Sequence, residues 1–588
     1  MGEGTAAAAA RGRKTDIGFL PGKTARNNVI SYMEEHVRNH PDRVALRWVE
    51  QQELGRWDGR LETPLPHREI TFGQFERLIM ATARGLAALG VREGDRVIIF
   101  LPMGLGMYTA MFAVQTLGAI ATFLDSWARA GHLGASAECV RPKAMISFAR
   151  AFELIEGVAG FESLELRIIA GPTEGGRYDA RLEELMAGEG RVEVCPVESE
   201  HTALITFTTG SSGKPKGANR THRFLSAQHL ALDRVIPYRP HDIDMPAFPI
   251  FSLNNLAAGV TTVIPAVDLA RPSERDPIAL ANQIRHGAIT CTTLSPSMLN
   301  GVSRFCLERG VQLASLRRVV TGGAPISKDN VRDFAAIAPR AEIWVLYGST
   351  EVEPMAHIEA KEMLAVPGDP DPEVVEEGVN VGHISEDLDY KFLRIVRGPI
   401  DLGRTPWEEL EVPRGEVGEF VVSGDHVCRD YYNNEEAFRQ TKIREADGRI
   451  WHRTGDLARQ DERGYLWVVG RVHNAIERGG RYYFPVRAEV ILKRLPFVRQ
   501  GAFLGMPDER LGERTAVAVV LDRAQASPEQ ALAEIRRLFA KNAIPLDAFY
   551  VVDEIPMDPR HHSKVEYRVL RERLLAGQVP DLLADPPG

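Results

Sequence analysis

The chain has 588 residues, more than a single hydrophobic core usually supports, so at least two domains are expected. Hydrophobic residues make up 44% and charged residues 26%, as in ordinary soluble globular proteins, and a net charge of −9 provides no basic surface for nucleic acid. The five cysteines are far apart and show no C-x-x-C spacing, which favours buried thiols over disulfides or zinc and leaves a catalytic cysteine without local support.

The N-terminal residues contain a five-alanine run followed at once by Arg-Gly-Arg-Lys. A secretory signal has the opposite order, with basic residues before a longer apolar stretch. The myristoylation pattern also fails, because Ala6 occupies the position that requires Ser or Thr. Residues 1–24 are therefore predicted to be a disordered tail of a cytoplasmic protein.

Residues 97–124 carry no charge and are long enough to suggest a membrane span. Pro102, Gly104, Gly106 and Gly118 interrupt the stretch, however. RVIIFL, MYTAMFAVQTL and IATFL instead predict a buried strand, a buried helix and a second strand. We therefore expect no membrane-spanning segment.

Short apolar runs alternate with helical patterns up to about residue 470, which predicts α/β architecture with largely parallel sheets. The runs are KAMIS, LRIIA, TALITFTT, TTVIP, ITCTTL, RRVVTGG and IWVLYG. GEVGEFVVSG, GRIWHRTGD and GYLWVVGR are closer together and rich in turn residues, as is typical of antiparallel strands.

The pattern changes after Gly470. GAFLGMPDERLGERTAVAVVL predicts a hairpin, and FYVVDEI predicts a last strand. Between them, Ser527, Pro528 and Gln530 supply an N-cap, a first helical position and a capping box. A boundary near residues 471–476 would separate a large N-terminal α/β domain with stacked sheets, residues 25–473, from a small mobile C-terminal α+β lid domain, residues 474–588.

TFTTGSSGKPKGANRTH, residues 206–222, combines glycines, lysines and hydroxyl side chains behind a strand-like run. Backbone N–H groups of a glycine-rich turn can converge on phosphate oxygens, so a phosphate-binding loop is predicted. No register fits the Walker A pattern. Ser211 and Lys214 match the S-x-x-K pattern of serine acyl-enzymes, but the companion elements are absent. A flexible surface loop is the remaining alternative.

TTGSSGKPKG resembles the phosphate-loop signature of the adenylate-forming superfamily, which contains acyl-CoA synthetases, peptide-synthetase adenylation domains and luciferases. Further motifs that resemble this superfamily follow in its order: Gly322-Gly323-Ala324-Pro325, YGSTE at 347–351, TGD at 454–456, Gly470-Arg471, and Lys564 in DPRHHSKVEY. The resemblance extends from about residue 25 to the end of the chain. It implies that a carboxylate is joined to the α-phosphate of ATP and that pyrophosphate leaves.

The resemblance also implies a role for each motif. Residues 208–217 would clamp the β- and γ-phosphates, Tyr347 would stack on adenine, and Asp456 would accept hydrogen bonds from the ribose hydroxyls. The implied nucleotide contacts are Thr208, Thr209, Gly210, Ser211, Ser212, Gly213, Lys214, Lys216, Gly217, Gly323, Ala324, Pro325, Tyr347, Gly348, Asp456 and Arg471. The implied catalytic residues are Thr350 on the α-phosphate, Glu351 as the ligand of Mg²⁺, and Lys564 bridging the carboxylate and the α-phosphate.

Each residue taken alone has a structural alternative. Asp456 could cap a turn, Glu351 could stabilise a helix start, and Lys564 could be a solvated lysine. His561 and His562 suggest a metal site, but no partner ligands lie at a suitable spacing. The joint placement of the motifs favours the functional interpretation.

The chain departs from the superfamily pattern at Asn474 in place of the hinge acid, Arg487 in place of a glutamate, Ser563 in place of a glycine, and residues 248–253 in the substrate-gate motif. These segments, with RPSERDP and KIREADGRIWHRTGD, resemble the β-lactone synthetase family of bacterial long-chain olefin biosynthesis (OleC). In that family the substrate is a 2-alkyl-3-hydroxy fatty acid. Its 3-hydroxyl attacks the acyl-adenylate, closes a β-lactone and releases AMP.

We therefore expect an AMP-forming ligase that uses ATP and Mg²⁺ on a small-molecule fatty acid, with lactone closure preferred. Thioesterification to CoA, which the retained Gly479-Gly480 would also fit, is the first alternative, and transfer to a carrier protein is the second. A non-catalytic nucleotide-binding scaffold is disfavoured because Lys564, Glu351 and Asp456 are present. LAAGVTTVIPAV and residues 248–253 suggest an acyl pocket, although core packing explains both. Other lipid-pathway enzymes are the expected protein partners.

Overall fold

The computed structural model describes residues 18–124, 130–173, 175–209, 215–268, 272–368, 371–557, 565–577 and 579–583. The chain forms two compact units. Unit 1 consists of Met1–Gly323, Asp329–Met355 and Gly424–Phe438, and unit 2 of Ala324–Lys328, Ala356–Ser423 and Arg439–Gly588. The domain boundaries proposed from the sequence, after residues 24 and 473, stay predictions.

Unit 1 contains two mainly parallel sheets. One has the strand order β7-β6-β5-β3-β4-β8-β9 and the other β14-β13-β12-β10-β11-β1-β2, and the edge strands β9 and β2 are antiparallel to their neighbours. The strands are β1 (Val44–Trp48), β2 (Arg68–Thr71), β3 (Arg96–Phe100), β4 (Ile120–Phe123), β5 (Ala144–Ser147), β6 (Leu166–Ile169), β7 (Ala180–Arg181), β8 (Thr202–Thr209), β9 (Pro215–Thr221), β10 (Ile243–Pro246), β11 (Thr261–Val263), β12 (Cys291–Leu294), β13 (Arg318–Gly322), β14 (Glu342–Ser349) and β15 (Val352–Glu359), the last of which ends in unit 2.

Helices of unit 1 follow most of the parallel strands, as the alternating pattern predicts. They are α1 (Ile30–Asn39), α2 (Gln51–Arg56), α3 (Phe72–Ala88), α4 (Leu105–Thr116), α5 (Ala130–Val140), α6 (Ala149–Ile155), α7 (Leu182–Met186), α8 (His222–Val235), α9 (Pro249–Ala257), α10 (Asp276–His286), α11 (Pro296–Arg309) and α12 (Lys328–Ile337). The uncharged residues 97–124 form β3, α4 and β4, so the predicted strand–helix–strand order is confirmed. In the described part of the chain, we find no helix with the length and apolarity that a bilayer crossing requires.

Unit 2 contains an antiparallel sheet in the order β15-β16-β21-β20-β18-β17 and a second sheet in the order β23-β22-β25-β24, in which β26 runs parallel to β25. The strands are β16 (Val379–Ile384), β17 (Asp389–Leu393), β18 (Gly418–Ser423), β19 (Lys442–Arg444), β20 (Ile450–Gln460), β21 (Tyr465–Arg471), β22 (Ile476–Arg478), β23 (Arg481–Tyr483), β24 (Val498–Asp508), β25 (Gly512–Leu521) and β26 (Ala548–Val551). The helices are α13 (Ala360–Ala365), α14 (Trp407–Leu410), α15 (Glu435–Thr441), which begins in unit 1, α16 (Pro485–Arg494), α17 (Pro528–Lys541) and α18 (Tyr567–Leu575).

The sequence predictions for unit 2 are confirmed element by element. β18, β20 and β21 are antiparallel, and β24 and β25 form the predicted hairpin. Helix α17 begins at the predicted capping box, in which the Ser527 hydroxyl accepts from the Gln530 N–H and the Gln530 side chain accepts from the Ser527 N–H. Buried Phe503, Ile535 and Phe539 then join this helix to the second sheet.

Candidate active site

The predicted phosphate-binding stretch is part of a β-hairpin in unit 1. Strand β8 ends at Thr209, β9 begins at Pro215, and Thr208 lies opposite Lys216. The connecting residues 210–214 and the side chains of Thr208 and Thr209 lie outside the described residues, so their predicted phosphate contacts stay predictions. The two residues that flank this loop, Thr209 and Pro215, are paired across the hairpin.

Lys216 and Gly217 are the second and third residues of β9. A Cβ atom added to Gly217 would lie 3.0 Å from Cγ2 of Ile205 and 3.2 Å from the ring of Phe207, so a larger residue would displace the strand. Burial lowers the pKa of Lys216, and attraction by Glu351 only partly opposes this effect. Additional negative charge, such as that of a phosphate, would therefore stabilise the ammonium form of Lys216.

Thr350 and Glu351 form the turn between β14 and β15. Arg220, which is 6% exposed and lies on β9, donates from a guanidinium nitrogen to the Thr350 carbonyl oxygen at 2.8 Å. The Glu351 N–H donates to Oγ of Ser349 at 3.2 Å. The strand that carries Lys216 therefore also supports this turn, and two motifs more than a hundred residues apart are neighbours in unit 1.

Tyr431 joins these two motifs through its side chain. Its hydroxyl donates to Oε1 of Glu351 at 2.7 Å, and Nζ of Lys216 lies 5.9 Å from the centre of its ring. Sequence analysis missed Tyr431, because VCRDYYNN carries no local signal of a functional tyrosine.

Gly323 and Tyr347 lie at the carboxyl ends of neighbouring parallel strands. Gly322, the last residue of β13, is opposite Leu346 of β14, and a Cβ atom added to Gly322 would lie 2.3 Å from the Leu346 carbonyl oxygen. Gly323 follows with a φ of 83°, in the left-handed region that favours glycine. Ligands of α/β sheets bind at this edge, which suits the predicted adenine-side segment.

The remaining predicted residues of these two motifs are Gly348, Ala324 and Pro325, and they fall in different units. Gly348 precedes Ser349 and the Thr350 turn, and a Cβ atom there would lie 3.0 Å from the Val352 carbonyl oxygen. Ala324 and Pro325 follow Gly323 in the chain but are grouped with unit 2.

Residues 248–253, the predicted substrate-gate segment, follow the end of β10 on the same sheet edge. Cζ of Phe248 lies 3.9 Å from the position that a Gly323 Cβ would take. Phe251 packs with Val320 and Leu346, and Ser252 is buried in α9. An apolar surface therefore adjoins Gly323, and Phe248 forms its outer part.

Asp456 and Arg471 form an ion pair in unit 2. Oδ1 of Asp456 lies 2.7 Å from Nε of Arg471, and the two residues are opposite each other on β20 and β21. Oγ1 of Thr454 accepts from the Asp456 N–H at 3.0 Å, and Gly455 takes a φ of 70°. Arg471 thus holds the carboxylate, and Thr454 fixes the backbone at the irregularity of β20 that carries Asp456.

A second, buried ion pair supports this irregularity of β20. The guanidinium group of Arg453 contacts Oε2 of Glu419 at 2.6 Å and 3.0 Å. Burial raises the pKa of Glu419, while Arg453 and a hydrogen bond from the Gly455 N–H act in the opposite direction. The charge of Glu419 therefore depends on Arg453. Glu419 also accepts a hydrogen bond from Gly455, the residue before Asp456.

The described residues fit a magnesium ion bound together with a nucleotide. Glu351 would supply a carboxylate oxygen to that ion, and no cluster of three or more metal-ligating His, Cys, Asp or Glu side chains occurs among the described residues. Mg²⁺ is commonly held by one or two carboxylates plus phosphate and water oxygens. Burial raises the pKa of Cys139 and Cys306 to about 11 and of Cys291 to about 12, which does not favour nucleophilic thiolates.

The structure thus brings the predicted residues into three groups. Around Tyr431 and the β8–β9 hairpin are Lys216, Gly217, Thr350 and Glu351; at the ends of β13 and β14 are Gly323, Tyr347 and Gly348; and in unit 2 Asp456 pairs with Arg471. Lys564 lies outside the described residues.

Comparison with known proteins gives matches along most of the chain. Residues 33–432 match the family model described as AMP-binding enzyme. The chain is 28% identical over 550 residues to an olefin beta-lactone synthetase of Stenotrophomonas maltophilia, with 92% of this chain and 96% of the relative covered. It is 25% identical over 530 residues to 4-coumarate–CoA ligase 1 of Petroselinum crispum, with 87% and 90% covered.

Solved structures confirm the α/β fold. ATP-bound MatB from Rhodopseudomonas palustris matches with a TM-score of 0.74 and 21% identity, over 93% of this chain and 98% of that one. The O-succinylbenzoate coenzyme A synthetase of Bacillus subtilis, in complex with ATP and a magnesium ion, matches with a TM-score of 0.71 and 21% identity, over 92% and 99%.

Proposed function

We propose that this chain, which belongs to the AMP-binding enzyme family, adenylates a 2-alkyl-3-hydroxy fatty acid and closes the adenylate to a β-lactone. As an AMP-forming ligase of the adenylate-forming superfamily, it acts on a carboxylic acid, and the proposal concerns which acid and what the adenylate becomes. One observation supports the proposed adenylation site most directly. Strand β9 contains Lys216 and also contacts the Thr350–Glu351 turn through Arg220.

In the first half-reaction a carboxylate oxygen of the substrate attacks the α-phosphorus of ATP, the bond to the β-phosphate breaks, and pyrophosphate leaves. Two anions must meet, so positioning and neutralisation of charge dominate the catalysis. Lys216 and the loop before it would hold the β- and γ-phosphates, and the Thr350 hydroxyl would donate to the α-phosphate. Mg²⁺, held by Glu351, would neutralise phosphate charge when bound. Asp456 would accept hydrogen bonds from the ribose.

Lys564 would contribute the remaining positive charge, between the carboxylate and the α-phosphate. This assignment comes from the sequence motif, and it is tested by substitution. Lys564→Ala should abolish carboxylate-dependent pyrophosphate exchange while ATP binding persists. Normal exchange in that variant would contradict the assignment.

In the second half-reaction the substrate's own 3-hydroxyl oxygen attacks the acyl carbonyl carbon. The bond from that carbon to the phosphate oxygen breaks, AMP leaves, and the hydroxyl proton passes to solvent or a base. The 28% identical olefin beta-lactone synthetase supports this step. The apolar surface of Phe248 beside Gly323 supports a lipid-like acyl group.

Thioesterification to CoA is the second candidate, because 4-coumarate–CoA ligases are also among the relatives. Gly479 and Gly480 do not favour it, however. They form the two-residue turn between β22 and β23, with φ values of 56° and 78°. Such a turn requires positive φ at both positions, so hairpin geometry by itself explains both glycines.

One experiment separates these candidates. Enzyme, ATP, Mg²⁺ and a 2-alkyl-3-hydroxy acid are incubated without CoA, and the product is analysed by mass spectrometry. We expect a product lighter than the acid by one water. The matched 2-alkyl acid without the 3-hydroxyl should support pyrophosphate exchange but give no such product. A product seen only after CoA is added would overturn lactone closure.

ATP binding without any carboxylate-dependent pyrophosphate exchange, across a range of acids, would instead favour a scaffold. Cytoplasmic localisation and association with other lipid-pathway enzymes are part of the proposal. The localisation rests on the widely spaced cysteines, and the association rests on the expected substrate class.

A further inference from the structure

Gly424–Phe438 is a segment of unit 1 that lies outside the motifs described above. Its residues 430–432 lie along β9. Tyr431 forms an antiparallel bridge with Ala218, the Tyr432 N–H donates to the Gly217 carbonyl oxygen at 2.8 Å, and the Asn219 N–H donates to the Asp430 carbonyl oxygen at 3.3 Å. Its backbone position is therefore fixed relative to the hairpin that carries Lys216.

The same segment is also bonded to the turn that carries Glu351. The Cys428 N–H donates to the Glu351 carbonyl oxygen at 2.8 Å, and Val427 forms an antiparallel bridge with Val352. The segment is thus attached to both neighbours by backbone contacts, and it holds the hairpin and the turn at a fixed separation.

The side chain of Tyr431 lies between the charged groups of these two neighbours. The residue is 5% exposed and packs with Phe224, Cys428 and other buried residues. Its hydroxyl makes a charge-assisted hydrogen bond with the Glu351 carboxylate, and its ring face lies within reach of a cation–π interaction with Lys216. An ordinary core residue at this position would need neither contact.

We propose that Tyr431 is a positioning residue of the adenylation reaction, which orients the Glu351 carboxylate for magnesium and couples it to Lys216. This inference rests on the function proposed above, in which Glu351 holds the metal and Lys216 the phosphates. Mg²⁺ demands nearly ideal octahedral geometry, so the orientation of a carboxylate ligand matters. A hydrogen bond from a fully packed tyrosine supplies that orientation before the nucleotide arrives.

The test measures how much magnesium strengthens nucleotide binding. Affinity for a non-hydrolysable ATP analogue is measured by calorimetry with Mg²⁺ and with EDTA, and the ratio is the magnesium gain. Tyr431→Phe removes only the hydroxyl and should lower this gain about tenfold, as expected for loss of a hydrogen bond to a charged group. Binding in EDTA should change by less than about twofold, because the ring and Lys216 remain.

Two further variants and one control accompany it. Tyr432→Phe is the control, because the ring of Tyr432 packs against a different cluster, around Phe207. Loss of its hydroxyl should leave the magnesium gain unchanged. Glu351→Gln should lose at least as much gain as Tyr431→Phe. Glu351→Asp retains a carboxylate but withdraws it from both Tyr431 and the metal position, so it should also lose gain.

The outcomes separate the two proposals. If Glu351→Gln loses the gain and Tyr431→Phe keeps it, the role of Tyr431 is overturned and the metal assignment stands. If Glu351→Gln keeps the gain, the metal assignment itself is wrong. If Tyr431→Phe weakens binding equally with Mg²⁺ and with EDTA, Tyr431 is only a structural residue and the inference is overturned.

Discussion

Arg453→Met is expected to destabilise unit 2 strongly, because it leaves the Glu419 carboxylate buried without its counter-ion. The side chains of Arg453 and Glu419 are 5% and 2% exposed. Arg453 also donates to the carbonyl oxygens of Val396, Gly398 and Gln440, which would lose a donor. Removing one partner of a buried ion pair typically costs about 3–5 kcal/mol, and we expect a decrease of that size in the free energy of unfolding.

The double variant Arg453→Met/Glu419→Gln tests the cause of this loss. The introduced glutamine would be neutral and would still accept the hydrogen bond from the Gly455 N–H, so about half of the loss or more should be recovered. Arg459→Met is the matched control on the same strand, since Arg459 is partly exposed and contacts the face of Trp467. It should change the free energy of unfolding by less than about 1 kcal/mol.

The loss should also depend on pH. Burial already raises the pKa of Glu419, and removal of Arg453 raises it further. The folded variant then binds more protons than the unfolded chain, so its stability falls as pH rises. The measurements are urea denaturation near about pH 6 and about pH 8, and the affinity for the nucleotide that Asp456 is proposed to contact. A loss below about 1 kcal/mol for Arg453→Met, or no recovery in the double variant, would refute this reasoning.

Glu489→Gln should raise the melting temperature near about pH 8 and have little effect near about pH 5, because burial raises the pKa of Glu489 to about 7 and its ionisation opposes folding; equal shifts at both pH values would contradict this. At high pH the free energy of unfolding should increase by at most about 3 kcal/mol. The Tyr567 hydroxyl can still donate to the glutamine oxygen. Gly217→Val should weaken ATP binding by displacing β9, whereas an unchanged dissociation constant would show that the strand tolerates a side chain. Asp456→Ala should weaken nucleotide binding about tenfold or more, and an unchanged ATP affinity would exclude a ribose role.

The secondary structure of this chain was predictable because its signals are local. The run Val97-Ile98-Ile99 is apolar on both faces and became β3, and Ser527 with Gln530 gave the capping box of α17. Such signals depend on residues a few positions apart, so they do not require knowledge of the tertiary structure. The motifs were recognisable for a similar reason, since each is a short run of fixed residue types.

The contacts between motifs were not predictable in this way. Tyr431 and Glu351 are 80 positions apart, and only the folded chain shows that the tyrosine hydroxyl meets the carboxylate. Arg453 lies in a strand-like run where a charged residue is usually solvated, yet it is buried because Glu419 lies on the next strand. The roles of Lys564 and of residues 210–214 stay predictions from the motifs.

The discontinuous path of unit 1 constrains how the protein can be divided. A chain that ended at Met355 would contain β9 and the Glu351 turn but would lack Gly424–Phe438, and with it the backbone partners of Gly217 and Asn219. Such a truncated chain should be unstable unless the missing segment is supplied as a separate peptide. For the same reason, a chimera of this chain and a relative should take residues 424–438 and β9 from the same protein.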